Sequence, residues 1–442
     1  MAAVNINNWW HYSLLSRVWV GWQSLSQYSL LVSVPALAVW LIVLILGLPY
    51  LSTSQIGLFL LAITLFYLPL AQRSTLQLPI LAYSLVATLS TVFSPVRSAA
   101  LDGLVKLLLY FVVFLAIERV VTVQPKYRGY LVGAYILTNL PVVVVGLRQQ
   151  FFGAQQLATW WDPTSELSSL TRVYSFLGNP NLLAGYLLAA IPLGVVSIIL
   201  TKRWTWKLLI ALSTLGSLLC IIYSYSRGAW LGLGAEVLVL TLALLYWAFP
   251  RLSLWALPAV AVGLGGAMAG AVISKPALRL RLMSIFSVFD RNVDQSISFR
   301  LRVMQGAIAM VKHYPVLGIG PGNRAFNLVY PLFQKARHSA LGAYSVPLEM
   351  LIETGVVGLL TYGWLVTVVI GRGLGAIRKE PSLWGIAGLS IVVGMLVHGL
   401  GDTVWYRPQV QVLWWLAVAL VMVGEKQNET SSGVVDPDGA NG

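Results

Sequence analysis

The chain has 442 residues, of which 58% are hydrophobic and only 10% are charged. About a quarter of the residues of a soluble domain are charged, so this composition excludes a water-soluble globular protein and requires lipid around the apolar surface. A net charge of +14 would suggest nucleic-acid binding in a soluble protein. Cytoplasmic loops of membrane proteins are also rich in Lys and Arg, and we expect no nucleic-acid partner here.

The apolar runs predict the fold in chain order. Residues 1–30 are rich in Trp and Tyr, which is typical of a segment at headgroup depth. Long continuous apolar runs then predict transmembrane helices rather than strands. The predicted spans are 31–50, 55–71, 76–93, 103–121, 129–147, 180–200, 205–223, 229–249, 253–273, 348–370, 382–400 and 408–424. The fold class is therefore an all-α membrane helix bundle of about 12 spans over 31–424, and the polar tail 425–442 is predicted to be disordered.

The distribution of basic residues predicts the orientation. With the N-terminus in the cytoplasm, most Lys and Arg of the short loops lie inside, where such residues accumulate. Both termini are then cytoplasmic, and the large loop 274–347 is periplasmic. The basic residues of the short outer loops are all arginine: Arg97, Arg148, Arg172, Arg227 and Arg407. Because arginine can fork onto phosphate, carboxylate or bicarbonate, this face is predicted to bind an anionic ligand.

The large loop contains two patterned segments. Apolar residues recur at helical spacing in 296–313, which predicts an amphipathic helix lying on the membrane or on the bundle. Those residues are Leu301, Met304, Ile308 and Val311. The segment Gly318–Asn323, GIGPGN, lacks the Gly-Lys-Ser/Thr ending of a Walker loop. A plain turn is favoured there over an anion-binding nest.

Further polar candidates lie near the span ends. Glu349 and Glu353 share one face of the tenth span and either contact the acceptor or a proton, or complement the helix dipole. Asp402 and Arg407 flank the turn before the last span, where a structural salt bridge is favoured over a substrate contact. Asn181 lies in the predicted N-terminal cap of the sixth span. No zinc-ligand spacing is present, and we expect neither metal nor cofactor.

Several stretches resemble one superfamily of membrane proteins. They read RVYSFLGNPNLLA from Arg172, SYSRGAWLG from Ser224, PVLGIGPGN from Pro315 and AYSVPLEMLIETGVVG from Ala343, followed by HGLGDTVWYRPQVQVLWW from His398. In order and spacing they resemble the O-antigen ligase and polymerase superfamily. The last two are most similar to a cyanobacterial branch described as bicarbonate (inorganic-carbon) transporters. This resemblance implies a multi-pass protein of the bacterial inner membrane that handles a small anion.

The wider superfamily implies a second function. Its ligases transfer a glycan from an undecaprenyl pyrophosphate carrier to a lipid acceptor at the periplasmic face, without a metal. By this resemblance, Arg172, Arg227 and Arg300 match the arginines that hold the pyrophosphate. The position of the family's proposed catalytic histidine holds Tyr344, which is a poor base at neutral pH. His338, six residues upstream, is a weak substitute.

Three functions therefore remain open. The bicarbonate branch ranks first because its residues match most closely, a glycan ligase is the alternative, and a non-catalytic binder of a lipid-linked saccharide is the third. The absence of a histidine at Tyr344 weighs against the enzyme. The partners expected are membrane lipid and either a small anion or a lipid-linked glycan.

Overall fold

The computed structural model describes residues 33–67, 76–155, 171–249, 295–334, 342–378 and 382–423, with isolated positions between these stretches. Every regular element within them is helical. The α-helices are α1 (Val34–Gly47), α2 (Thr53–Tyr67), α3 (Gln77–Val92), α4 (Arg97–Val123), α5 (Lys126–Phe152), α6 (Pro180–Leu188), α7 (Ala190–Leu200), α8 (Trp204–Tyr223), α9 (Arg227–Ala248), α10 (Gln295–His313), α11 (Asn323–Val329), α12 (Val346–Arg378), α13 (Leu383–Gly399) and α14 (Pro408–Met422). Short 3₁₀ turns occupy Ser175–Leu177, Tyr330–Leu332 and Val404–Tyr406.

The described helices overlap the predicted spans within the described residues, although their ends differ and the span 180–200 consists of α6 and α7. The span predicted at 253–273, the aromatic segment 1–30 and the tail 425–442 lie outside the described residues. Six of the described helical segments are long and apolar enough to cross a membrane, the α6–α7 pair being one of them. Five further apolar helices are shorter, at 10–17 residues. The chain is thus a helical membrane protein, and the total of about 12 spans stays a prediction.

Helix α14 forms the centre of the bundle. Every residue from Pro408 to Met422 is buried, and the helix packs against α4 and α13. Small residues allow the backbones to approach closely, as is common between membrane helices. A β-carbon at Gly388 of α13 would lie 2.5 Å from the carbonyl oxygen of Ala417. Helix α13 in turn packs along α9, and this second contact leads to the candidate site.

The amphipathic helix predicted at 296–313 is present as α10, Gln295–His313. Its face toward the protein is Val303, Ala307 and Met310, each with no exposed surface. Leu301 and Ile308, which belong to the predicted stripe, are 40% and 47% exposed. The pattern left open whether this stripe meets membrane or bundle, and the structure divides it: Leu301 and Ile308 face away from the protein, whereas Val311 packs against the buried cluster. A second, smaller apolar face supplies the contact with the protein.

The glycine-rich segment 315–323 fills a break in α12. At Gly355 the helix adopts φ 67° and ψ −170°, a region that only glycine occupies readily. The segment runs beside the break and forms main-chain hydrogen bonds of 2.9 Å from the Ile319 and Gly320 amides to the Ile352 and Glu353 carbonyls. The Val356 amide donates to Pro315 at the same distance. The carbonyls that the break leaves without helical partners are therefore satisfied.

The other side of the same segment packs on α3 and α4. Ser90 donates its hydroxyl to the Glu353 carbonyl at 2.7 Å, and Ser94 donates to the Ile319 carbonyl. A β-carbon at Gly103 of α4 would overlap the Pro321 carbonyl oxygen. The segment is turn-rich, as predicted, and its amides bond to carbonyls of α12. The motif therefore has a structural role at the break in that helix.

Candidate functional site

Asp402 is the centre of a polar cluster at one end of the bundle. It lies just beyond α13 and is only 6% exposed. Its Oδ2 accepts from Arg300 of α10 at 3.1 Å and from Asn181 of α6 at 2.7 Å. Its Oδ1 accepts from the Thr403 amide at 2.8 Å. Three segments far apart in sequence therefore meet at one carboxylate.

Arg172 extends this network to the start of α9. It donates to Asn181 Oδ1 at 3.0 Å and to the Ser224 carbonyl at 2.9 Å. Ser224 lies three residues before Arg227, the first residue of α9. The result is a continuous chain of hydrogen bonds from Arg172 through Asn181 and Asp402 to Arg300.

The cap predicted at the start of α6 orients Asn181. Asn179 is the N-cap residue, and its Oδ1 accepts from the amides of Asn181 and Leu182 at 2.8 and 3.2 Å. Pro180 occupies the first helical position, where its missing N–H costs nothing. The side chain of Asn181 is thereby free to bridge Arg172 and Asp402.

Arg300 is held on three sides yet remains partly open. Its guanidinium donates to the Gly401 carbonyl at 2.6 Å as well as to Asp402. It stacks on the ring of Tyr344 at 5.1 Å from the centroid, and that ring meets Phe299 edge to face. The side chain is 28% exposed. Within the described residues two of its five N–H groups are used, so the others can bind an anion from solvent.

Tyr344 supports Arg300 from a strained backbone. Its φ of 56° lies in the left-handed region, which is uncommon for a bulky residue and frequent at functional sites. Burial raises the pKa of its hydroxyl, and the charges of Asp402 and Glu349 act in the same direction while Arg300 opposes them. The phenol is therefore neutral at neutral pH. Ser175 and Tyr225 also have positive φ and lie within three residues of Arg172 and Arg227, respectively.

Glu349 and Glu353 hold the loops that carry the cluster. Glu349 is buried and accepts from the Ala343 amide at 2.8 Å, which fixes the residue before Tyr344. Glu353 is also buried and receives a long hydrogen bond of 3.4 Å from the Tyr406 hydroxyl. Hydrogen bonding of this kind lowers the cost of burying a carboxyl group. Both side chains act on loop position rather than facing solvent.

One predicted contact is wrong. Asp402 pairs with Arg300 and not with Arg407, whose side chain is exposed at the start of α14. Arg407 is the N-cap residue of that helix, and the turn directs it away from the carboxylate. Sequence proximity favoured the neighbour over a partner 102 residues away. His338 lies outside the described residues.

Two buried groups were missed by the sequence prediction. His398, in the last turn of α13, is 2% exposed, and its Nε2 has no hydrogen-bond partner in the part of the chain that the structure describes. Glu236 of α9 has no exposed surface, and neither of its carboxyl oxygens has a partner there. Both residues sit within apolar runs. An ionisable residue inside a membrane span was the available signal.

The cluster suits an anion better than a metal. Among the described residues, no group of three or more His, Cys, Asp or Glu side chains could hold a metal ion. Arg300 pairs with Asp402 directly, and Arg172 is linked to the same carboxylate through the Asn181 amide. Arg227 begins the neighbouring helix. Fixed guanidinium groups with spare donors are the usual means of binding phosphate or carboxylate oxygens.

Comparison with known proteins agrees with part of the sequence resemblance. No curated protein matches the chain. A family model described as O-antigen ligase matches residues 212–363, about a third of the chain. The matched range contains Arg227, Arg300 and Tyr344 and stops before Asp402. The match does not distinguish the bicarbonate branch from the rest of the superfamily. Residues 212–363 of this membrane protein are therefore similar to the O-antigen ligase family.

Proposed function

We propose that the arginine cluster binds the pyrophosphate of a lipid-linked glycan. The observation that carries this proposal is the network in which Asn181 and Asp402 hold Arg172 and Arg300 at separate places. A pyrophosphate has two phosphate groups and can engage both guanidiniums at once. Bicarbonate is small enough for one guanidinium. The O-antigen ligase match agrees with a glycan ligand, and the preference over the bicarbonate branch that the sequence ranked first rests on the two separate guanidinium groups.

The proposal also places the cluster on the periplasmic side. Arg172, Asp402 and the start of α9 lie at one end of the bundle, and the segment 201–203 that links α7 to α8 contains Lys202 and Arg203. Positively charged short loops are expected on the cytoplasmic side of the membrane, which would leave the cluster at the periplasmic end. A lipid-linked glycan would then reach the cluster from the outer leaflet, with its polyprenyl chain in lipid.

Binding and transport can be separated in one preparation. We expect the purified chain in lipid nanodiscs to bind a polyprenyl pyrophosphate glycan in a saturable manner. The same protein in liposomes should give no bicarbonate flux above that of empty liposomes. The glycan-binding signal should be displaced by inorganic pyrophosphate, which carries the same anionic group. Bicarbonate flux together with an absence of glycan binding would overturn the proposal and return the chain to the transporter branch.

Tyr344→Phe tests whether a transferase base sits at this position. We expect less than a tenfold loss of glycan affinity (about 1 kcal/mol), because the phenylalanine ring still supports Arg300 and only one hydroxyl is removed. Tyr344→Ala is the matched control, and it should lose more because the guanidinium loses its aromatic support. The measurement is a binding isotherm over a range of pH.

The opposite result would identify an enzyme. General-base help is worth roughly 10²–10⁴-fold in rate. A loss of glycan transfer of that size in Tyr344→Phe, with unchanged folding and a wild-type rate that rises with pH, would make Tyr344 the base. It would contradict the neutral phenol expected from the raised pKa of this residue.

A further inference from the structure

Glu236 is an acid in the interior of a membrane-crossing helix. It lies nine residues after Arg227, the start of α9, or about 13 Å into the bundle at 1.5 Å per residue. That is close to the middle of a hydrocarbon layer of about 30 Å. The side chain is fully buried, and none of the described basic side chains forms an ion pair with it. A bare carboxylate there would be very costly, so the group needs a proton or another cation.

Glycines create the space around this acid. Helices α9 and α13 run antiparallel, so that Gly228 and Gly232 face His398, and Glu236 faces Gly394. A β-carbon at position 394 would lie 2.9 Å from Glu236 Oε2. The small residues on both helices therefore leave room for the carboxyl group. Glu236 and His398 therefore lie along the same α9–α13 contact.

His398 lies close to both the α9–α13 contact and the arginine cluster. A β-carbon at Gly228 would lie 3.8 Å from its Nε2, and one at Gly185 of α6 would lie 3.4 Å from its Nδ1. The ring is within electrostatic reach of Asp402 and Arg300. One turn of α13 separates His398 from Gly394, the residue that faces Glu236. Among the described titratable groups, Tyr135 of α5 is within electrostatic reach of Glu236, and its hydroxyl donates to the Tyr186 carbonyl at 2.7 Å.

We propose that Glu236 is a proton-binding site at about mid-depth in the membrane and that it exchanges protons, through His398, with the end of the bundle that carries Asp402. Uptake forms an O–H bond on the Glu236 carboxylate and removes its negative charge. His398 accepts a proton at one ring nitrogen and releases one from the other, so charge and atoms balance without electron transfer. This proposal is independent of what the arginine cluster binds.

An apolar carbodiimide, dicyclohexylcarbodiimide, provides the test. It reacts with protonated carboxyl groups within the membrane, and peptide mass spectrometry locates the adduct. We expect Glu236 of the full chain in liposomes to be labelled at acidic pH and progressively less at alkaline pH. A water-soluble carbodiimide should not label it. Glu236→Gln should lose the adduct on that peptide alone, which identifies the reacting group.

Changing the pH on one membrane face at a time tests the proposed route through His398. In liposomes of determined protein orientation, labelling should follow the pH on the face that carries Asp402 and not the pH on the opposite face. His398→Leu, similar in volume, should lose this response while its thermal unfolding matches the wild type. Absent or pH-independent labelling of Glu236 would overturn the proton site. So would suppression by sodium at constant pH, because the occupant would then be a metal cation. A normal response in His398→Leu would overturn the route through that residue.

Discussion

Arg300→Lys is expected to weaken pyrophosphate-glycan binding about a hundredfold, nearly as much as Arg300→Ala. The guanidinium bonds at once to the Gly401 carbonyl and Asp402 while it lies over the Tyr344 ring. A lysine ammonium has no planar fork and cannot keep both bonds and the ring contact. Binding isotherms in nanodiscs give the affinity. Salt should weaken the wild type more than Arg300→Ala, because only the alanine variant lacks the positive charge.

The free energy of unfolding of the Arg300 variants serves as a control for the binding measurement. Removing Arg300 leaves Asp402 with Asn181 and the Thr403 amide, so we expect a loss of only about 2 kcal/mol in the free energy of unfolding, below the range for a fully buried broken pair. Lys312→Ala is the matched control because it removes an exposed cation from the same helix, and it should leave binding unchanged. If Arg300→Lys bound as tightly as the wild type, a forked anion contact would be the wrong description.

Gly355→Ala should have the largest effect on folding of any single methyl addition in α12. Its φ of 67° and ψ of −170° are essentially restricted to glycine, and leaving that region costs up to about 3 kcal/mol. A β-carbon there would also overlap the Val316 carbonyl oxygen. We expect most of the protein to aggregate, or its thermal unfolding in detergent to shift downward by about 3 °C, roughly what 3 kcal/mol implies for a chain of this length.

Gly363→Ala separates backbone strain from the mere addition of a methyl group. Gly363 lies in the same helix, and a β-carbon there would meet nothing within 4 Å. Alanine has the higher helix propensity, so this variant should be as stable as the wild type or slightly more so. Equal unfolding temperatures for Gly355→Ala and Gly363→Ala would show that the break in α12 is not needed.

The positions of the helices were predictable because long apolar runs have one solution in lipid. Their full lengths were not. Helix α4 begins at Arg97, six residues before the predicted span, because hydropathy does not detect a polar helical turn. The break at Gly355 was also invisible, since the run around it is continuously apolar. It depends on the partner segment 315–323, which the chain supplies from elsewhere.

The candidate site was predictable in its residues and not in its pairings. Arg172, Asn181, Arg300 and Asp402 stand out as polar residues beside apolar runs, and the structure links them directly. Asp402 was assigned to a neighbour in sequence, because periodicity carries no information about contacts between distant segments. Glu236 and His398 were passed over for their apolar surroundings, although such surroundings are what make a buried ionisable group significant.

The filled break in α12 has a consequence for biosynthesis. Translation delivers α3 and α4 first, then 315–323, and α12 last. The carbonyls of Ile352 and Glu353 cannot be left without hydrogen-bond donors in lipid. In the folded protein the donors are the Ile319 and Gly320 amides. An emerging α12 is therefore best inserted as an unbroken apolar helix. It bends only when the glycine-rich segment, already packed on Ser94 and Gly103, can bind the carbonyls that the bend exposes.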